Sequence, residues 1–526
     1  MKTNNIVLKV MQYCQNHPDK LAIIMNKKKS FLSHSQFINI SYSRLYNDIL
    51  FTANRLKSYG FKKGDRILVF VPMSYELYVI ALSILYIGAV LVFVDAWSSR
   101  NRLSIACDIV KPSGFIGTLK AQLLRISSAI RNIPVKILSN SLISSDAIPK
   151  TDIATENVAI VENEDEAIVT FTTGSTGTPK AAKRTHGFLL NQRKALMEHM
   201  PLSKVDINLV TLPIFVLNNL SSGIPSFLPD FNPAKPADFK PEKMITQINE
   251  MNVASSIGSP AFFENLADYI LQTKKWTTFK TIYTGGAPVF KPLAIKLRKA
   301  FPETDIHVVY GATEVEPVSS IPLDTYIGMD HSNGLPLGKV VKDLNVKIVK
   351  PTSEPIIIQE NESIEDYEVT HNEVGEIIVN GEHVLKEYIG SSLEFRSNKI
   401  VYNNELWHRT GDAGKMDANG FIYLLGRIKN RFYNRQNQCL FSIPVEQELL
   451  KIENIIFSAI FTVGEKIYIA LETDQSISSI AKATIISQVK KNYQDISIEK
   501  VLFVKSIPRD PRHHSKADYE KLKLLI

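Results

Sequence analysis

Cysteine is scarce. Cys14, Cys107 and Cys439 are the three thiols in 526 residues, and they lie far apart. Isolated thiols exclude a disulfide framework and the paired spacing of a zinc site, and they fit a reducing compartment, so a cytoplasmic location is expected. Blocks of one charge are also missing. The formal net charge is +8, from 61 Lys+Arg against 53 Asp+Glu, but these charges are dispersed along the chain. That distribution excludes a nucleic-acid arm and leaves only a mild bias toward anionic partners. No unbroken apolar run reaches the roughly 20 residues of a membrane span. The nearest run, LYVIALSILYIGAVLVFV at 77–94, is divided by Gly88. It predicts a buried helix, a glycine cap and a core strand rather than an integral membrane segment. The first twenty residues lack an apolar stretch followed by small residues, so no secretory leader is expected. Internal repeats and low-complexity tracts are absent.

What remains is the composition of a globular protein, 44% apolar and 22% charged, long enough for roughly three to four structural units. Residues 38–115 alternate helical patterns with short apolar strands, RILVFV, AVLVFVDA and PSGFIGT, as βα units around a parallel sheet do. Similar strands recur at 167–172, 253–257, 281–283 and 306–309, each followed by a turn rich in Gly, Ser or Pro. The predicted fold is therefore α/β, with parallel sheets in a large N-terminal part. From about 338 to 427 strands shorten and helices vanish, which predicts a β-rich subdomain. A small α+β domain is expected over 428–526, leaving 1–427 as the large domain. Ligands of open α/β sheets gather beyond the carboxyl ends of strands, so the turns there are where function is sought.

The strongest local signal is EDEAIVTFTTGSTGTPKAAKRTH at 164–186. An apolar strand runs into Thr172, Thr173, Gly174, Ser175, Thr176, Gly177 and Thr178, followed by Pro179 and Lys180. Two glycines let the backbone curl so that several N–H groups face one point, and five hydroxyls add donors, an arrangement suited to phosphate. The spacing is not that of a Walker loop, because Lys180 stands three places after Gly177. GLPLGKV at 334–340 fails the same test, and TGSTG lacks the GxSxG elbow of a serine hydrolase.

The loop resembles the signature of the adenylate-forming superfamily, which includes acyl-CoA synthetases, luciferases and peptide-synthetase adenylation domains. YTGGAPV (283–289), YGATE (310–314), HRTGD (408–412), GRIKN (426–430) and Lys516 follow in the order of that family's other motifs. The resemblance implies an ATP-dependent enzyme, an AMP-forming acid ligase that makes an acyl-adenylate and releases pyrophosphate. It places the phosphates on 172–178 and Lys180, and adenine and ribose on Gly285, Gly286, Ala287, Pro288, Tyr310, Gly311, Ala312, Asp412 and Arg427. Thr313 is expected to offer a hydroxyl to phosphate, and Glu314 a carboxylate to Mg²⁺, which takes oxygen ligands. Asp412 is expected in a TGD turn. Lys516 would be carried over the site by the small domain, hinged at Asn430, and would stabilise charge at the α-phosphate.

Family members that pass the acyl group to coenzyme A or a carrier-protein thiol have a glycine six residues after the hinge. Gln436 stands there instead, which puts thiol transfer in doubt. LPIFVLNNLSSG, LPDFNPAKPADF, IGSPAFF, YGATEVEPVSSI, LFSIP and DPRHHSKADYEKL resemble the olefin β-lactone synthetases, implying a long-chain 3-hydroxy fatty acid whose own hydroxyl displaces AMP. An acyl pocket is then expected around Phe215, Asn219, Gly258 and Ser259. The alternatives are a fatty acyl-CoA ligase, a fatty acyl-AMP ligase serving a carrier protein, or a non-catalytic nucleotide- or lipid-binding homologue. The expected substrate is a small-molecule acid, with acyl-carrier or pathway proteins as the candidate partners and no nucleic acid.

Overall fold

The computed structural model describes residues 3–26, 37–94, 100–143, 158–173, 179–232, 238–390, 392–473, 477–510 and 516–526. The apolar run at 77–94 folds as its pattern predicts. In the helix Tyr75–Tyr86 every residue except Glu76 is buried, and Ser74 caps its start by accepting from the Leu77 N–H. Gly88 turns the chain at φ +73°, and Val90–Phe93 becomes an interior strand. Among the described residues no helix is long and apolar enough to cross a membrane.

That strand belongs to a seven-stranded sheet. Val135–Leu138, Gly114–Gly117, Arg66–Phe70, Val90–Phe93 and Glu166–Thr173 run parallel, in that order. Pro179–Thr185 then adds antiparallel to Glu166–Thr173, and Glu387–Ile389 antiparallel to Pro179–Thr185 at the edge. Apolar residues continue through the parallel strands because both faces are covered.

A 14-stranded sheet makes up most of the rest. Leu21–Asn26, Ser226–Leu228, Ile207–Val210, Val253–Gly258, Thr281–Gly285 and Asp305–Ala312 form its parallel part. Phe262 and Phe263 of the helix Pro260–Thr273 pack beneath it, fully buried. Truncating either to alanine would cost about 3–5 kcal/mol.

The β-rich stretch continues this sheet. Val315–Pro322 pairs antiparallel with Asp305–Ala312, and Leu335–Val340, Phe421–Arg427, Glu405–Met416, Gly375–Gly381 and Leu344–Val349 follow outward. Its strands do not all shorten: Glu405–Met416 runs 12 residues. Nor do helices vanish entirely, since Ser392–Asn398 is helical. Gly411, at φ +70°, interrupts the alternation of the long strand and so disguises its length. Beyond residue 431, Ile455–Val463, Lys466–Thr473 and Ile498–Val504 make a three-stranded sheet with its own apolar cluster, including Leu449, Ile460, Ile469 and Val489.

Candidate active site

Three of the predicted segments end on neighbouring strands. Gly258 closes Val253–Gly258, Gly285 closes Thr281–Gly285, and Tyr310, Gly311 and Ala312 close Asp305–Ala312. Because the strands are parallel and adjacent, Ser259, Gly286–Ala287–Pro288 and Thr313–Glu314 emerge along one edge. Gly285 is required by close approach. A Cβ there would lie 2.3 Å from the Val309 carbonyl oxygen, one residue before Tyr310. Gly286 is required for its φ of +79°.

Asp412 and Arg427 come together through strand register, and the Tyr310 hydroxyl reaches Asp412 from a strand three places beyond Arg427's along the same sheet. Asp412 and Arg427 are direct partners on Glu405–Met416 and Phe421–Arg427. Arg427 Nη1 donates to Asp412 Oδ1 at 2.6 Å, and the Tyr310 hydroxyl donates to Oδ2 at 2.8 Å. Burial pushes the Tyr310 phenol well above its ordinary value, and the Asp412 carboxylate adds to the rise. Asp412 does not stand in a turn as expected. Along Gly375–Gly381 the register passes from Glu376↔Ala413 to Ile378↔Arg409, so Thr410, Gly411 and Asp412 form a bulge within the strand. The buried Glu376 carboxylate holds that bulge by accepting from Arg409 Nε at 2.9 Å and from the Gly411 N–H at 3.1 Å. A bulge re-aims a side chain. Here it leaves Asp412 beside Tyr310.

A second cluster surrounds Glu314. Thr313 and Glu314 make the two-residue turn between Asp305–Ala312 and Val315–Pro322. The Tyr388 hydroxyl donates to Glu314 Oε1 at 3.0 Å, and the Leu385 N–H donates to the Glu314 carbonyl at 2.7 Å. Arg184, from the other sheet, donates to the Thr313 carbonyl at 2.9 Å. The Lys180 and Lys399 ammonium nitrogens each lie 5.7 Å from the centre of the Tyr388 ring, within cation–π range. Lys399 also donates to the Leu385 carbonyl. Burial pushes its amine down to about 7, partly offset by the Glu314 carboxylate. His408 faces Lys399 across the strand pair, and burial holds its imidazole well below the usual range. Tyr388, Lys399 and Arg184 were not singled out by the sequence patterns.

Among the described residues no group of three His, Cys, Asp or Glu side chains could cage a metal. A single carboxylate such as Glu314 fits Mg²⁺, which takes most of its ligands from water and phosphate.

The flanks of the segment expected to bind phosphate adjoin this cluster, through Lys180 beside the Tyr388 ring. Thr172 pairs with Lys180 and Thr173 with Pro179, so the segment connects two antiparallel strands at the carboxyl end of Glu166–Thr173. Gly174, Ser175, Thr176, Gly177 and Thr178 lie outside the described residues. Lys180 is buried, 7% exposed.

The residues expected to line an acyl pocket are tightly held. Phe215 and Asn219 stand on the helix Pro213–Ser222, both buried. Asn219 Nδ2 donates to Asn208 Oδ1 at 3.0 Å and to Ser226 Oγ at 3.1 Å. The Asn219 Oδ1 has no partner among the described residues. Ser259 Oγ caps the helix Pro260–Thr273, and Gly258 lies against Thr211 and Phe263.

Asn430 ends the short turn Ile428–Asn430. Gln436 lies in the loop between Phe432–Tyr433 and Cys439–Leu440, where Asn434 Oδ1 accepts from the Gln436 and Gln438 N–H groups at 3.1 and 2.8 Å. Lys516 is exposed beside the three-stranded sheet, its N–H donating to Asp510 Oδ1 at 3.0 Å. Tyr519, three residues on, donates at 2.8 Å to the buried Glu446. This fastens the last helix to Ser442–Leu449.

Known proteins share this architecture over its whole length. The chain is 25% identical to the olefin β-lactone synthetase of Stenotrophomonas maltophilia, covering 98% of this chain and 97% of that one. It is 26% identical to the olefin β-lactone synthetase of Xanthomonas campestris pv. campestris, covering 98% and 96%. The O-succinylbenzoate coenzyme A synthetase of Bacillus subtilis, solved in complex with ATP and magnesium ion, superposes with a TM-score of 0.77 at 17% identity, covering 98% of this chain and 99% of that one. A sequence description of the family called AMP-binding enzyme matches residues 10–389, well over half the chain, and this protein belongs to that family.

Proposed function

We propose that the protein activates a long-chain 3-hydroxy fatty acid with ATP and closes it to a β-lactone. In the first step a carboxylate oxygen bonds to the α-phosphorus as the bond to pyrophosphate breaks, leaving an acyl-adenylate. In the second, the substrate's own hydroxyl oxygen bonds to the acyl carbon and AMP leaves. The observation that carries this reading is the end-to-end similarity to two olefin β-lactone synthetases. Gln436 supports it, since thiol-transferring relatives carry a glycine there. A nucleophile already tethered to the acyl group needs no thiol tunnel, because bound geometry supplies its proximity.

In this reading, 172–178 and Lys180 grip the phosphates. Glu314 would hold Mg²⁺, which when bound neutralises phosphate charge, and Tyr388 fixes the direction of that carboxylate. Asp412 and Arg427 take the ribose, while 285–288 and Tyr310–Ala312 take the adenine. Phe215, Asn219, Gly258 and Ser259 set the acyl pocket's wall, with Asn219 as a rigid polar post. Lys516, carried on 428–526 and turning about Asn430, meets the α-phosphate charge.

The test is pyrophosphate release with ATP and Mg²⁺ across fatty, 3-hydroxy and aromatic acids, with and without coenzyme A, followed by product mass. Pyrophosphate, AMP and a lactone without coenzyme A are the expected products. A coenzyme A thioester would overturn lactone closure and leave acid activation standing, whereas silence with every acid removes both.

A further inference from the structure

The turn between Gly114–Gly117 and Val135–Leu138 is inverted relative to an ordinary surface turn. Leu119 is 76% exposed, Leu123 70% and Ile126 80%, three large apolar side chains within eight residues. Gln122, which could have faced water, is turned inward, donating to the Gly117 carbonyl at 2.9 Å and the Ile137 carbonyl at 2.8 Å. Ala121, Leu124 and Ala129 pack against the core beneath. The polar side chain is spent on the backbone, and the apolar ones are left outside. Single exposed apolar residues need no explanation, but a cluster of them does.

The charge around the cluster is of one sign. Between Ile109 and Ile143 the chain carries Lys111, Lys120, Arg125, Arg131 and Lys136, and no Asp or Glu.

We propose that Leu119, Leu123 and Ile126, with their flanking Lys and Arg, dock the protein on the surface of an anionic phospholipid bilayer. Apolar side chains that dip into the headgroup region, ringed by cations, form the chemistry that holds a protein on such a surface without spanning it. A second copy of this chain is a poor occupant. Pairing the patch with itself would face like charges across the contact.

The patch also has a favourable position. It follows the carboxyl end of Gly114–Gly117, which runs parallel to Glu166–Thr173 three places along the same sheet, roughly 14 Å away at strand spacing. The docked face therefore lies at the same end of the sheet as the phosphate loop. The inference does not depend on which acid is activated.

The experiment is co-sedimentation of the full-length protein with vesicles of phosphatidylcholine alone or mixed with phosphatidylserine. Binding to the mixed vesicles is expected to be about ten-fold stronger and to weaken as salt is raised. Leu123→Glu with Ile126→Glu should lower it about ten-fold, and Lys120→Glu with Arg131→Glu should abolish the preference for phosphatidylserine. Both variants should keep wild-type pyrophosphate release with a short, water-soluble acid, so a failed docking result is distinguishable from failed catalysis. A probe on Leu123→Cys, in a Cys439→Ser background that removes the one exposed thiol among the described cysteines, should shift to shorter emission wavelength on mixed vesicles. Equal sedimentation with both vesicle types, no response to the substitutions, or a patch that mediates only self-association would overturn the proposal.

Discussion

The two clusters of the candidate site are built in opposite ways. Asp412 and Arg427 meet because neighbouring strands of one sheet set them side by side, one bulge supplies the aim, and Tyr310 joins them from a strand three places farther along the same sheet. Glu314 instead meets Tyr388, whose ring lies against Lys180 and Lys399, and these residues arrive from separate stretches of chain and from both sheets. The first cluster is held within a single sheet. The second depends on how two sheets are docked, so its geometry is a tertiary property with more points of failure.

Substitutions can break that contrast. Lys516→Ala should have the largest effect, lowering pyrophosphate release by about two or more orders of magnitude if its charge acts in the transition state. Wild-type turnover would reject the role. Glu314→Gln keeps shape but removes charge and should cost about 100-fold, read as lost activity at saturating Mg²⁺. Lys399→Met removes a buried ammonium while keeping its stem. The KM for ATP should rise about ten-fold with thermal stability kept or raised, because a desolvated amine is itself costly. A drop in Tm without a change in KM would make Lys399 a packing residue only. Tyr310→Phe deletes one donor to the Asp412 carboxylate in the single-sheet cluster, worth about 1.5 kcal/mol, so a loss of about ten-fold is expected there. A loss as large as that of Glu314→Gln would erase the distinction between the clusters.

The smallest effect sharpens the comparison by leaving both clusters intact. Burial pushes the Glu446 carboxyl up to about 7, where Tyr519 and the Ile460 N–H reach it. Its value in the unfolded chain is about 4.3, so the folded state holds the proton more tightly. The stability this group contributes is therefore full below pH about 4.3 and is lost as pH rises through about 7. Glu446→Gln keeps the accepting oxygen, and it should raise Tm at pH 8 by a few degrees while leaving pH 4 nearly unchanged.

What the sequence could reveal follows the same division. Strand ends such as Gly285 and Tyr310, and the helix–glycine–strand unit at 75–93, are written in local periodicity and were legible. The long strand Glu405–Met416 was misread in part, because Gly411 breaks the alternation that marks a strand and makes a bulge resemble a turn. Tyr388 and Lys399 left no local mark. Lys399 begins a short strand, Lys399–Tyr402, and its role comes from His408 opposite and Leu385 above, contacts that no spacing announces. Arg184 left no local mark either, because its donation to the Thr313 carbonyl is a contact between the two sheets. The inverted Gln122 was equally silent in the sequence.

The turn at Thr313–Glu314 is riveted from outside its own sheet: Arg184 grips one carbonyl and the Leu385 N–H the other. A hairpin tip held at two consecutive carbonyls is less free to move than one held by its own strands alone. On the proposed function the turn acts as an anvil, and the segment carrying Lys516 is the part that has to travel toward it.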